Sequence, residues 1–478
     1  MGKLTFIFVL IQLTVIGQGG VNSLYEEMPN DSILPLSKEV HSSLKPEIRI
    51  HKPTIGLISL KSKSKPVCFL TPLSDLNYRY TSQSQYRLGT GIGIESNSNK
   101  KFYYRANFIG GVGVGDSSFT SRSYFFKGNS SNYSYLDARG RISCTPNSIF
   151  NFQIGLDQNF IGEGNRSLLL SDYGAPSPFG LIRTKFWRIE YAILYQFLRE
   201  KVNTNWQSKN GATHHLSFNA AKWLNFGVFE TVIFQPKDTM LNRGFDVEYL
   251  NPIIFYRPQE YSLGSSDNVL IGASVSVKYK SHVLYGQLIL DEFSLTEIKK
   301  KSDWWANKYG GQIGVKGRLK LGRSTSFYRI EYNSIRPYTY SHIGSGQNYG
   351  NQGMTLAHPF GSNFMELLGE FKIQKGKWAL KSFFSYFLQG LDKDGFSYGG
   401  NIYQPYNNRP YEYGHYIGQG KGNNGFRTVI TLSYQVMKHG NLQAFFENQY
   451  RYDSAFNISS YIPMIGLRSQ LWNDYRNY

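Results

Sequence analysis

Through three successive segments of residues 268–321, apolar and polar residues alternate with a period of two. In the first, Val269, Ile271, Ala273, Val275, Val277 and Tyr279 share one face. Asn268, Gly272, Ser274, Ser276 and Lys278 share the other, which Leu270 alone breaks. A joint at Ser281 and His282 leads into the second segment, 283–292. Beyond a polar excursion, Tyr309, Ile313, Val315, Leu319 and Leu321 oppose Gln312, Lys316, Arg318 and Lys320. Successive side chains of a strand point to opposite faces, so this period predicts β-strands with one apolar and one polar surface.

The pattern recurs on both sides of that stretch. Residues 78–94, 101–115, 133–144 and 149–157 read as strands. So does 187–197, where Trp187, Ile189, Tyr191, Ile193, Tyr195 and Phe197 oppose Arg188, Glu190 and Gln196. Further strands are predicted at 214–224, 227–234, 327–333, 364–373, 378–389, 427–437 and 441–451, and a strand-like end runs over 462–478 to a terminal aromatic, Tyr478. In hydrocarbon every backbone N–H and C=O must pair internally, and a sheet achieves this only by closing on itself. A crossing takes ~9–11 residues and each strand with its share of loop roughly 20–25. The expected fold is therefore all-β: a closed transmembrane antiparallel barrel of about 18 strands, within a range of about 16–20.

Composition sharpens this picture. Hydrophobic residues make up 41% of the 478 and mean hydropathy is −0.38, which excludes a bundle of membrane helices. Aromatics reach 16%, with 36 Tyr and 33 Phe, as the two interfacial girdles of a barrel require. Lys3 followed by the apolar run 4–16 and by Gly17, Gly19 and Gly20 reads as a signal peptide, 1–20. Residues 21–75, with Pro29, Pro35, Pro46, Pro53, Pro66 and Pro72, read as a periplasmic segment with one short helix near 36–44. Residues 76–478 are the expected barrel. A soluble sandwich or propeller explains the alternation, but not the export signal, aromatic excess and aromatic end together. The expected address is the outer membrane, and the expected partners are its lipid, lipopolysaccharide and the barrel-assembly machinery.

Catalytic chemistry is not visible. Cys68 and Cys144 are the only cysteines; they can pair in an oxidising compartment but make no metal site. His214 and His215 are adjacent, so in a strand they face opposite ways and cannot chelate together. Asp291 and Glu292 alternate likewise. The glycines at 91, 93 and 110–115 lie in strand-like sequence, not at a helix start, so they form no phosphate loop. His342, Ser345 and Asn348 form the one enzyme-like set, that of a membrane lipase, within what reads as an ordinary loop. We expect no enzyme, no cofactor and no metal. The formal charge of +19, from 52 basic and 33 acidic residues, is spread among strands with no nucleic-acid module, so no nucleic-acid partner is expected.

Binding chemistry is richer. Loop stretches 249–261, 302–308 and 332–342 combine aromatic rings, which stack on sugars, with Arg and Asn, which bond hydroxyls and carboxylates. Trp304, Trp305, Asn307, Arg257, Arg336, Tyr338 and Tyr340 are the candidate glycan contacts. An interfacial girdle or a lumen-plugging loop accounts for the same residues. By alternation Lys316, Arg318 and Lys320 line the lumen, with Arg329 on the next strand, and a basic lumen favours anionic solutes or an acidic surface polysaccharide.

Six segments carry a resemblance: GEGNRSLLLSDYGAPSPFGLIRTKFWRIEY, YLNPIIFYRPQEYSLGSSDN, YGQLILDEF, WWANKYGGQIG, EYNSIRPYTYSH and LAHPFGSNF. They resemble the Wzi-like capsule-assembly outer-membrane proteins of the Bacteroidota type, a group that includes gliding-motility-associated barrels. The resemblance covers about 160–364. It implies a barrel of about 18 strands acting as a lectin that attaches exported capsular polysaccharide to the cell surface. No sugar-contacting position of the family is matched residue by residue. The alternative is a gliding-motility or transport-associated barrel, as an anion-leaning pore or an anchor for surface machinery.

Overall fold

The computed structural model describes residues 41–46, 58–62, 65–81, 83–99, 101–115, 125–128, 132–202, 205–236, 249, 267–322, 324–437, 441–469 and 475. The signal peptide, the greater part of the N-terminal segment and Arg257 lie outside them.

Eighteen antiparallel strands close into a barrel, the last pairing back onto the first. They are β1 (Lys65–Tyr80), β2 (Ser84–Asn99), β3 (Phe102–Val114), β4 (Asn132–Cys144), β5 (Phe150–Asp157), β6 (Ser177–Phe186), β7 (Ile189–Val202), β8 (Asn205–Ala221) and β9 (Leu224–Phe234). The second half comprises β10 (Asn268–Tyr279), β11 (His282–Leu290), β12 (Tyr309–Leu321), β13 (Ser324–Ile335), β14 (Phe364–Lys375), β15 (Trp378–Leu391), β16 (Lys421–Met437), β17 (Leu442–Asp453) and β18 (Ile458–Ser469).

Several boundaries differ from the sequence reading: among them, the strand expected over 214–224 crosses the turn at 222–223, and Ser177–Phe186 forms a strand that the sequence reading did not expect. The expected single strand over 78–94 is two, because the chain reverses at 81–83 without a glycine or proline to mark it. β1 begins at Lys65, inside the stretch assigned to the periplasm. Its outer edge pairs first with Ile58–Ser62 and later with β18 at Asp75–Arg79. Pro72, which obscures the strand in the sequence, lies between those two pairings, where the ladder on that side is interrupted and a missing N–H is tolerated. Finally, residues 41–44 at the end of the expected helix are not helical, Leu44 being extended with Lys45; residues 36–40 lie outside the described residues.

The two ends of the barrel are unlike. One carries short connections, such as 187–188, 222–223, 280–281 and 376–377. The other carries the long ones, 115–131, 158–176, 235–267, 291–308, 336–363 and 392–420. This asymmetry is that of outer-membrane barrels. The outward face is apolar and uncovered, with Leu88, Ile92, Phe108, Val112, Ile154, Leu284 and Ile313 all exposed. The inward face carries buried charge: Arg87 lies 2.6 Å from Asp75, Arg141 3.2 Å from Asp157 and Arg183 2.7 Å from Glu190. Cys68 and Cys144 are free.

The lumen is not simply wet. Loop 158–176 turns inward, and the Asn165 and Arg166 amides donate to the Glu331 carboxylate at 2.8 and 3.2 Å. Gly164 leaves room for that carboxylate, since a Cβ would stand 2.4 Å from its Oε2. Leu168, Leu169 and Leu170 form an interior apolar cluster with Leu181, Leu194, Phe229, Leu270, Ile289 and Ile335. Leu270, the residue that interrupts the polar face of β10, is thus a wall position for this internal core. The described segment 41–46 and Tyr475 both reach the same loop. Leu44 and Lys45 pair with Ile161 and Phe160, and His41 Nδ1 lies 2.8 Å from Ser217 Oγ on β8. Tyr475 is buried with its hydroxyl donating to Asp172 and its ring edge-on to Tyr173 at 5.4 Å. Arg166 lies over the Tyr475 ring at 5.1 Å.

Candidate functional site

Three long loops, 291–308, 336–363 and 392–420, lock together over the open end. Backbone bonds knit them: Trp305 N to Glu412 O at 3.1 Å, Gly414 N to Ser302 O at 3.1 Å, His415 N to Asp303 O at 2.9 Å, and Tyr338 N to Gly399 O at 3.0 Å. At their meeting point Trp305 packs against Tyr406 with centroids 4.6 Å apart, and the Arg409 guanidinium lies 4.1 Å above the Trp305 ring. Tyr338 meets Trp305 edge-on at 6.1 Å and His415 at 5.2 Å. Such pairs add about 0.5–1.5 kcal/mol each beyond the area they bury. They support a backbone that pays for its shape: Tyr338 and Tyr340 both have positive φ, 67° and 72°, a conformation uncommon for bulky residues.

The predicted glycan contacts are placed as follows. Trp304 is half-buried and Trp305 buried; both belong to the loop stack. Asn307 is buried, its Oδ1 accepting from Ser294 N at 2.8 Å and its carbonyl from Arg336 Nε at 2.9 Å. Arg336 also donates to the His415 carbonyl at 3.2 Å. Tyr338 donates to Ser397 O at 2.9 Å, and Tyr340 to Leu168 O at 2.7 Å. What these side chains hold together is the cap itself and its attachment to the inward loop. Of the stretch 249–261 only Tyr249 is described, packed on Phe234 with its hydroxyl donating to Asp267 at 2.7 Å.

The basic lumen residues separate. Lys316 Nζ lies 2.9 Å from Glu163 Oε2 on the inward loop, and Arg329 3.1 Å from Glu370. Both are matched with carboxylates. Arg318 is half-buried and Lys320 exposed, near the short-turn end. Burial alone would raise the Glu163 carboxyl, but the ammonium groups of Lys316 and Lys45 outweigh it and hold the carboxyl at about 2.

Of the lipase set, His342 and Asn348 are described, while the Ser345 side chain lies outside the described residues. His342 is buried against the Tyr406 ring rather than standing on a lipid-facing rim; burial, with Lys308 nearby, lowers its pKa to about 4. Asn348 Oδ1 accepts from Lys209 at 2.8 Å. Asp291 and Glu292 both approach Lys308, at 3.9 and 3.3 Å, in the neck of a loop. Among the described residues no group of three or more His, Cys, Asp or Glu could hold a metal ion.

One feature of the cap has no counterpart in the sequence reading. A cavity of about 260 Å³ opens in loop 392–420, walled by Asp392, Asp394, Phe396, Gln404 and Asn408 among others. The density of Tyr, Asn and Gly through 396–416 was the available signal. Tyr411, Tyr413 and Tyr416 stand exposed on the same loop.

No protein-family model matches the chain, and no characterised protein matches it in sequence. Solved structures do match in fold. Wzi, an outer-membrane protein involved in group 1 capsule assembly in Escherichia coli and a carbohydrate-binding β-barrel, is similar with a TM-score of 0.53 at 14% identity, over 82% of this chain and 84% of that one. Pseudomonas aeruginosa OprD, with a TM-score of 0.43 at 9% identity, aligns over 86% of this chain and 98% of its own. P. aeruginosa OpdK with vanillate, with 0.44 at 11%, aligns over 83% and 96%. The chain has the closed fold of an outer-membrane β-barrel.

Proposed function

We propose that this chain is a non-enzymatic outer-membrane barrel that binds surface polysaccharide through its long-loop cap and holds it at the cell surface. The observation that carries this reading is the occupied lumen. Loop 158–176, the segment 41–46 and Tyr475 meet inside the barrel around an apolar cluster, and Lys316 and Arg329 are turned to carboxylates rather than to a passing solute. A pore needs a continuous polar path with sites weak enough to leave. A filled barrel with an aromatic, hydrogen-bonding cap is better suited to holding a ligand on its outer side. The likeness of fold to Wzi, a carbohydrate-binding barrel, supports the same reading.

The test is co-sedimentation of the purified barrel in detergent with the surface polysaccharide of its own cell, alongside conductance in planar bilayers. We expect polysaccharide binding and no steady conductance. Steady ohmic conductance without binding would overturn the proposal in favour of the transport alternative.

A further inference from the structure

We infer that the cavity of loop 392–420 is a cleft for a single sugar residue, selective for neutral or amino-bearing hexoses over acidic ones. The inference rests on the glycan-binding reading above and names the class of sugar.

The cleft is built, not incidental. Lys393 and Phe396 exchange backbone bonds, 3.4 and 3.0 Å, around Asp394 and Gly395, whose φ values are 53° and 80°. This tight turn of type I′ character suits an Asp-Gly pair. Asn408 pins it from across the cleft: its Nδ2 donates to Gly395 O at 2.9 Å, and its carbonyl accepts from Ser397 N at 3.0 Å. Ser397, at the base, is 2% exposed and receives the Tyr338 hydroxyl on its carbonyl, so the cleft stands on the aromatic core of the cap. Asp392 is oriented by the Tyr398 amide at 2.8 Å.

The lining matches a pyranose. Phe396 is 46% exposed beside the cavity, an apolar face for the C–H side of a sugar ring. Asp392 and Asp394 are strong acceptors for hydroxyls, while Gln404 and Asn408 both donate and accept. The volume, about 260 Å³, falls below the ~300–1,000 Å³ of drug-sized sites, which fits one ring and not a chain.

Charge sets the selectivity. Two carboxylates face one ammonium, and Lys393 already lies 3.7 Å from Asp394. Arg409, next to Asn408 in the chain, is stacked on Trp305 and paired with Glu412. A uronate entering this cleft meets a lining of two carboxylates and one ammonium, net negative, whereas a sugar ammonium is attracted. The class of glycan differs from the acidic polymer that a basic lumen implied, because Lys316 and Arg329 of that lumen face are matched with carboxylates within the barrel.

The experiment is saturation-transfer NMR on the full-length protein in detergent, with methyl glucoside, galactosamine and galacturonate as probes. Folding is verified by heat-modifiable gel mobility. The expected result is binding of the first two and at least about 5-fold weaker binding of galacturonate. Phe396→Ala should abolish binding. Asp394→Asn, which keeps a residue tolerant of positive φ, should keep the neutral sugar and improve galacturonate roughly 2- to 5-fold. Equal binding of galacturonate, or binding that survives Phe396→Ala, overturns this inference and leaves the glycan-binding reading standing. Failure of every probe, with failure of polysaccharide co-sedimentation, overturns both.

Discussion

Glu163→Gln isolates the ionic latch between the inward loop and the barrel wall. Glu163 accepts from Lys316 Nζ at 2.9 Å and from the Ser42 hydroxyl, so one carboxylate ties together the loop, β12 and the N-terminal segment. Its pKa of about 2 against an ordinary 4.5 corresponds to about 3 kcal/mol at 1.36 kcal/mol per unit. Because the folded pKa is depressed, that stability is fully present above pH 4.5 and is lost as pH falls toward 2. Removing one partner also leaves the Lys316 ammonium facing a neutral amide, a direction of change that is strongly destabilising when burial is complete. We expect Glu163→Gln to lower denaturant stability in detergent by about 2–3 kcal/mol at pH 7. The gap should close to near zero as pH approaches 2, because protonated wild type then resembles the variant. Other carboxylates titrate in the same window, so the difference between the two proteins is the informative quantity. A gap that is absent at pH 7, or unchanged down to pH 2.5, would refute the latch.

The remaining expectations address the wall, the tail and the cap. Val275 is outward-facing and exposed on β10, so Val275→Arg should cost ~2–4 kcal/mol if mid-membrane and reduce the folded, heat-modifiable fraction, while Val275→Leu should be neutral; equal tolerance would mean that the register is wrong. Tyr475→Ala removes an aromatic contact and the Arg166 stack inside the lumen. We expect a loss of about 3 kcal/mol and new protease cleavage at the tail, and an unchanged digestion pattern would contradict the docking. Trp305→Ala should destabilise the cap by about 3–4 kcal/mol and expose loop 392–420 to limited proteolysis without unfolding the barrel. Loss of glycan binding with an intact cap would instead give Trp305 a direct role.

The strands were legible because each separates two different environments, and a period of two records that separation. Val275, Ile313 and Lys316 all fall on the faces assigned from sequence. The interior was not legible, because loop 158–176 has no period to betray where it goes. Its triplet Leu168, Leu169, Leu170 in otherwise polar sequence, together with Leu270 on the polar face of β10, were two ends of one contact that only the fold brings together. That contact also alters the inward face. Ser274 faces the lumen, but the lumen there is occupied by Gly162, Glu163 and Ser43, so an arginine at 274 does not enter open water. At the cap, Trp304, Trp305, Tyr338 and Arg336 were conspicuous as residue types, and geometry places them in the stack that shapes the cap. The cleft beside them arises from the turn at Asp394 and Gly395 meeting Asn408, a juxtaposition that no spacing rule in the sequence records.

The most direct test of the proposed role is made on cells lacking this protein, with cell-attached and shed surface polysaccharide quantified separately. Attachment by the cap requires that total polysaccharide stay normal while the attached fraction falls and the shed fraction rises, with reversal by the wild-type chain. Unchanged retention in the deletion strain would contradict it.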